Sequence, residues 1–144
     1  MDPAIGLIET NSIAVGIQVG DAMVKRAPVQ LLEARSICPG KYMVLIGGET
    51  APVEEALQAG QVVGEGAIID RLFLPHVHRG VFPAIAGAVA MEEVEALGII
   101  ETISVASAIV AADAAAKAAD VTLTEIRLAN GLGGKSFVLL IGDV

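Results

Sequence analysis

AIGLIETNSIAVGIQVGDAMVKRAPVQLLEAR, residues 4–35, returns as ALGIIETISVASAIVAADAAAKAADVTLTEIR, residues 96–127, without a gap and 92 positions later. Sixteen of the 32 aligned positions are identical, among them Glu9, Thr10, Ser12, Asp21, Lys25, Glu33 and Arg35. This is a duplication and not a shared composition. A repeat this long exceeds the period of a solenoid, so each copy is a domain-sized unit, and two such units in one chain favour pseudo-symmetric assembly.

Within the first copy the pattern alternates between period 2 and period 3.6. Ala4 to Glu9 reads as a strand, with Ser12 as the N-cap of a helix from Ile13 to about Arg26 on which Ile13, Ile17, Gly20 and Val24 share one face. Pro28 ends it. Val29 to Ile37 and Tyr42 to Ile46 read as strands joined by the turn-forming Cys38, Pro39, Gly40 and Lys41. Pro52, with Glu54 and Glu55 in the first turn, opens a second helix to about Val63, and Ala67 to Leu74 supplies a last strand. The order β-α-β-β-α-β predicts an α+β, ferredoxin-like fold: an antiparallel sheet with two helices on one face.

The expected organisation is a first domain over 1–74, a connector over 75–95 and a second domain over 96–144. The connector holds His76, His78, Pro83 and Gly87 and ends in the acidic run Glu92, Glu93, Glu95. The second domain repeats the order as strand Ala96 to Glu101, N-cap Ser104, helix Val105 to about Ala118, and strands Val121 to Ala129 and Ser136 to Ile141. It then stops at Val144, a helix and a strand short of the first copy. The last strand of this plan pairs with the first, so Ala96 to Glu101 is expected to keep an open edge and a partly uncovered apolar face. Uncovering several aliphatic side chains at roughly 1.5–3 kcal/mol each rivals the stability of a domain. Either the chain is a shortened form or another subunit covers that surface.

Composition narrows the function. A net charge of −8 opposes binding to nucleic acid or to an acidic membrane surface. Asp21, Lys25, Asp113 and Lys117 interrupt the apolar stretches well short of the roughly 20 residues that span a bilayer. The N-terminus lacks a basic segment followed by an apolar one, and a single cysteine excludes an internal disulfide, so the expected compartment is the reducing cytosol. Hydrophobic residues make up 54% of the chain and aromatics 3%, so the core is built from Ala, Val, Ile and Leu.

Three local motifs carry chemistry only weakly. Asn130 to Ser136 ends in Gly-Lys-Ser like a phosphate loop, but Ala129 stands where that motif needs glycine and a strand follows where it needs a helix. His76-Val-His78 offers two imidazoles without a third ligand nearby. A Cys38–His nucleophilic pair has no support in spacing, and no convincing base or oxyanion site accompanies it. Asp21 with Lys25 and Asp113 with Lys117 are i,i+4 pairs of the kind that steady a helix. Cys38 gains interest from symmetry: three chains meeting at an axis lined by Ile37, Cys38, Pro39 and Gly40 would bring three soft thiolates together, a donor set suited to iron-sulfur clusters.

The segments AIGLIET, DAMVK, ICPGK and LIGGE, with LGIIET, DAAAK and GLGGKSFVLLIGD in the second copy, closely resemble the tandem-domain shell proteins of bacterial microcompartments. The propanediol-utilisation type that carries an iron-sulfur cluster is the nearest in pattern. The resemblance implies a structural, non-enzymatic protein: a homotrimer forming a pseudohexagonal disc that tiles with other shell proteins around a cytoplasmic organelle. It implies that Lys25 and Lys117 lie at the edges between tiles, and that Ile37, Pro39 and Gly40, with Gly131, Leu132 and Gly133 of the second copy, border the central pore. It further implies that Cys38, one from each chain, holds a 4Fe-4S cluster there for electron or cluster transfer, with a redox partner inside or outside the shell. The alternatives are a tile with an empty, metabolite-conducting pore and a trimeric regulatory module that binds a small molecule.

Overall fold

Both copies start their first helix by the same device. In the computed structural model, which describes residues 3–90 and 93–144, the Ser12 hydroxyl accepts the Val15 amide at 3.3 Å and Thr10 Oγ1 donates to the Ser12 carbonyl at 2.7 Å. The equivalent Ser104 hydroxyl accepts the Ser107 amide at 3.1 Å, and Thr102 Oγ1 donates to the Ser104 carbonyl at 2.8 Å. Each hydroxyl thus satisfies one of the amides that a helix start leaves without an internal acceptor.

The chain divides into two units, the first ending at Val77 and the second beginning at His78. The first contains β1 (Ala4–Thr10), α1 (Ile13–Arg26), β2 (Gln30–Ile37), β3 (Lys41–Gly48), α2 (Thr50–Val63) and β4 (Ile68–Leu74). Its sheet runs β2-β3-β1-β4 with every neighbouring pair antiparallel, which is the ferredoxin-like order expected from the sequence. Central strand β1 is buried along its whole length. Ala4 and Ile8 on its helix-side face join Val19, Met23, Val44, Ile46, Val53, Ala56 and Leu57 in one core cluster.

Two expectations for the first unit change. Helix α2 begins at Thr50, not at Pro52, after an extended Glu49, so Glu54 and Glu55 fall outside its first turn. Pro52 is tolerated there because an amide in the first turn has no intrahelical acceptor to lose. On α1 the core takes Gly16, Val19 and Met23, whereas Ile13, Ile17 and Val24 of the face singled out in the sequence stay exposed.

The second unit contains α3 (Val81–Ile85), β5 (Ala96–Thr102), α4 (Val105–Ala118), β6 (Thr122–Leu128) and β7 (Ser136–Gly142), with strand order β5-β7-β6. The segment 75–95 is therefore not a bare connector: α3 buries Val81 and Ala84, and it packs on β6 and α4. Glu92 of its acidic run lies outside the described residues. Among the described residues β5 pairs with β7 alone, and its Leu97 and Ile99 are exposed where their equivalents Ile5 and Leu7 on β1 are fully buried. The open edge expected from the sequence is thus present. No helix among the described residues is long and apolar enough to cross a membrane.

Candidate functional site: the two strand-to-strand turns

Strands β2 and β3 form a hairpin whose last pair is Ile37 with Lys41, leaving Cys38, Pro39 and Gly40 as the turn. Ile37 is buried and roots the turn in the unit; Cys38, Pro39 and Gly40 are exposed, and the Cys38 thiol is free. Gly40 has φ +63° with open space around it, so it is the backbone angle and not crowding that calls for glycine. The Cys38–Pro39 peptide is cis.

The equivalent turn in the second unit joins β6 to β7 beyond the pair Leu128 and Ser136, and the seven residues between those partners are two more than the five between the equivalent Ser36 and Tyr42. Gly131, Gly133 and Gly134 all have positive φ, and Lys135 closes the turn by donating its amide to the Leu132 carbonyl at 3.2 Å. Gly131 and Gly133 are exposed and Leu132 is half-buried. Strand β7 follows directly, so the Gly-Lys-Ser sequence has no helix behind it and is not a phosphate loop.

Charged residues recur at the base of both turns. Arg35 Nε lies 2.8 Å from Glu33 Oε2 on β2, and Arg127 Nη2 lies 2.8 Å from Glu125 Oε1 on β6, where the guanidinium also sits 5.2 Å from the centre of the Phe137 ring. Lys135 Nζ reaches Glu101 Oε1 at 3.0 Å. The equivalent Glu9 behaves differently. It is buried on β1 opposite Asp70 of β4, its Oε1 has no hydrogen-bond partner, and burial pushes its carboxyl above the ordinary value. The positive charge of Lys41 partly opposes that shift, and Asp70 adds to it. Glu9 and Glu101 are identical residues at matching positions of the repeat, so their unequal surroundings carry no signal in the sequence.

Lys25 and Lys117 both lie in the last turn of their helices. Lys25 pairs with exposed Asp21, with Nζ 2.8 Å from Oδ2. Lys117 is anchored more firmly, because Asp113 is buried, takes Lys117 Nζ at 2.7 Å on Oδ2 and accepts the His78 amide at 2.7 Å on Oδ1. In the sequence Asp113 is one half of an i,i+4 pair like Asp21, and nothing there signals its contact with the His78 amide.

The described residues of one chain contain no group of three or more His, Cys, Asp and Glu side chains able to hold a metal ion. Nδ1 of His78 accepts the Gly80 amide at 3.1 Å, which commits that nitrogen to its own turn. What a single chain offers a metal cluster is therefore one accessible thiol on a turn whose base, Ile37, is buried, a quarter of the usual four-cysteine set.

The BMC domain family matches this chain over residues 4–77 and again over residues 96–144. Along all 144 residues the chain is 44% identical to the bacterial microcompartment shell protein PduT of Citrobacter freundii, spanning 78% of that protein. The carboxysome shell protein CsoS1 of Prochlorococcus marinus is 36% identical over 89 residues, which are 59% of this chain and 85% of that protein. A solved structure of a microcompartments protein from Desulfitobacterium hafniense superposes with a TM-score of 0.96 at 53% identity, covering 100% of this chain and 80% of that one. With one family match for each copy of the internal repeat, the chain belongs to the BMC domain family as a tandem, two-domain member.

Proposed function

We propose that this protein is a structural shell protein of a bacterial microcompartment in the cytoplasm, that three copies form a pseudohexagonal disc, and that their Cys38 thiolates together hold a 4Fe-4S cluster at its central pore. The protein turns over no substrate of its own. The observation that carries the pore assignment is the placement of Cys38: an exposed, unpaired thiol at the tip of a three-residue turn, in a chain 44% identical along its length to a microcompartment shell protein. Ile37 anchors the turn and Gly40 supplies its left-handed backbone, so the thiol is presented by a fixed support. A trimer raises the thiolate count from one to three, and the longer turn of the second unit, with no cysteine, adds none.

Such a cluster supplies one-electron redox chemistry. The chain's own residues do the positioning: the β2–β3 hairpin sets the thiol, and the Gly131, Leu132 and Gly133 turn is the second-unit border of the same pore. Lys25 and Lys117 lie at the edges where discs meet other shell proteins, and a redox partner exchanges electrons with the pore from one side of the shell. The test is iron content and visible absorption of protein purified without oxygen, normalised per three chains. About four irons with broad cluster absorption supports the reading; a colourless, iron-free trimer that resists reconstitution overturns the cofactor and leaves a tile with an open pore.

A further inference from the structure

The turn between β6 and β7 places Asn130 directly before Gly131, a pair whose chemistry neither the fold nor the proposed cluster uses. Ala129 is buried and its amide donates to Ser136 Oγ at 3.2 Å, so the chain is rooted up to that residue. Asn130 and Gly131 are exposed, Gly131 has φ +71°, and a Cβ added to it would meet nothing within 4 Å. Among the described residues no hydrogen bond takes the Gly131 amide or the Asn130 side chain. Gly133 and Gly134, also at positive φ, widen the range of backbone angles open to the turn. An amide side chain and the backbone nitrogen that can attack it are therefore adjacent, accessible and unblocked.

We propose that Asn130 is a site of spontaneous deamidation, which adds a carboxylate to the tip of the second-unit turn. The Gly131 nitrogen attacks Asn130 Cγ as hydroxide takes its proton; the new N–C bond closes a succinimide, and the side-chain nitrogen leaves as ammonia. Water then opens the ring at either carbonyl, giving aspartate or, where the chain is routed through the side chain, isoaspartate. Nothing is oxidised or reduced, and water is the only co-reactant. Glycine matters at the attacking position because a side chain there would crowd the approach of its nitrogen to Cγ. The chain contains its own comparison. Its other asparagine, Asn11, precedes Ser12; the Asn11 amide is tied to the Ala67 carbonyl at 2.9 Å, and Ser12 is held in the helix start by Thr10 and Val15. The first-unit turn Cys38-Pro39-Gly40 has no asparagine, so the change is confined to the second unit. One consequence rests on the trimer proposed above: the pore border gains one carboxylate per chain and repels anions more strongly.

Peptide mapping by mass spectrometry tests the site after the folded chain is incubated in mildly alkaline buffer made with heavy-oxygen water, with digestion in ordinary water so that later artefacts carry no label. The expected result is a peptide containing residue 130 that gains the mass difference between an amide and a labelled carboxylate, elutes as two products of equal mass, and accumulates faster as the pH is raised. The Asn11 peptide should stay unchanged, and Asn130→Gln should abolish both the mass shift and the acidic band on isoelectric focusing. A synthetic peptide of residues 128–136 incubated beside the protein sets the scale. If that peptide reacts while Asn130 of the folded chain does not, the turn protects the residue and the proposal is overturned. Equal modification at Asn11 overturns it as well, because the turn would then confer nothing. Modification confined to Asn130 in a chain that sediments as a monomer supports the site and overturns only its placement at a pore.

Discussion

Gly16 of α1 lies directly against Tyr42 at the start of β3: a Cβ added to Gly16 would stand 2.5 Å from the Tyr42 Cβ and 2.7 Å from Thr10 Oγ1. The second copy solves the same contact with the volumes exchanged. Buried Ala108 takes the position of Gly16, and buried Ser136, paired with Thr102 as Tyr42 is with Thr10, takes that of the tyrosine. The helix therefore sits close to the strand that carries the Cys38 turn because glycine has no Cβ to meet the Cβ and ring of Tyr42 and the hydroxyl of Thr10.

That exchange gives a double-mutant prediction. Gly16→Ala overpacks the site and is expected to cost about 1–3 kcal/mol of stability. Adding Tyr42→Ser reproduces the pairing of the second unit, and the double variant should recover part of the loss, a non-additivity that denaturant titration of the four proteins would measure. Additive losses would mean that the ring is not what excludes the methyl group.

Glu9 makes the first unit sensitive to pH. Its folded carboxyl titrates above the unfolded value of 4.5, chiefly because burial disfavours the charged form, so the folded state holds the proton more tightly than the unfolded chain. The sign follows: the group's contribution is greatest below 4.5 and is lost as pH rises through the folded pKa. Glu9→Gln abolishes this loss. The variant's melting temperature should match wild type near pH 4 and exceed it as the pH rises through the folded pKa, with the gap constant above that point, whereas a gap independent of pH from 4 upwards would place the effect in packing.

The two Asp–Lys pairs look alike in the sequence and should respond differently to substitution. Asp113→Ala removes an acceptor from Lys117 and from the His78 amide at a buried site, and is expected to cost about 1–3 kcal/mol. Asp21→Ala breaks an exposed helix pair worth about 0.3–0.5 kcal/mol. Thermal unfolding of both variants decides the matter; equal losses would mean that the His78 contact contributes nothing.

Much of this fold is legible in the residues because the duplication reads each element twice. Ser12 and Ser104 mark both helix starts, the strand order follows from the β-α-β-β-α-β succession, and the open edge of β5 follows from counting strands. The inward face of α1 is not legible, because Ile13 and Ile17 on one side and Val19 and Met23 on the other are all apolar, so a period of 3.6 residues fits both faces. Short helix α3 is hidden by Gly80, Pro83 and Gly87, which punctuate its few residues like a loop. At the site, Pro39 and Gly40 announce the turn that exposes Cys38, but the burial of Glu9 comes from its surroundings in three dimensions. Glu101 has the same neighbours in sequence and pairs with Lys135.

Cys38→Ser separates the role of the thiol from the role of the turn. The side chain is exposed and the turn's shape depends on Ile37 and Gly40, so replacing sulfur by oxygen should leave the oligomer and the melting temperature within the roughly 0.5 kcal/mol expected of a surface change. Iron and visible absorption should vanish in the same sample, because a hydroxyl does not supply the soft anionic ligand that a cluster needs. Gly40→Ala makes the opposite test. It keeps the thiol but forces an L side chain into φ +63°, so cluster content should fall through misplacement of Cys38, with open space around the new methyl ruling out a clash as the cause. Full iron retention in Cys38→Ser, measured beside wild type after identical anaerobic purification, would remove Cys38 from the ligand set.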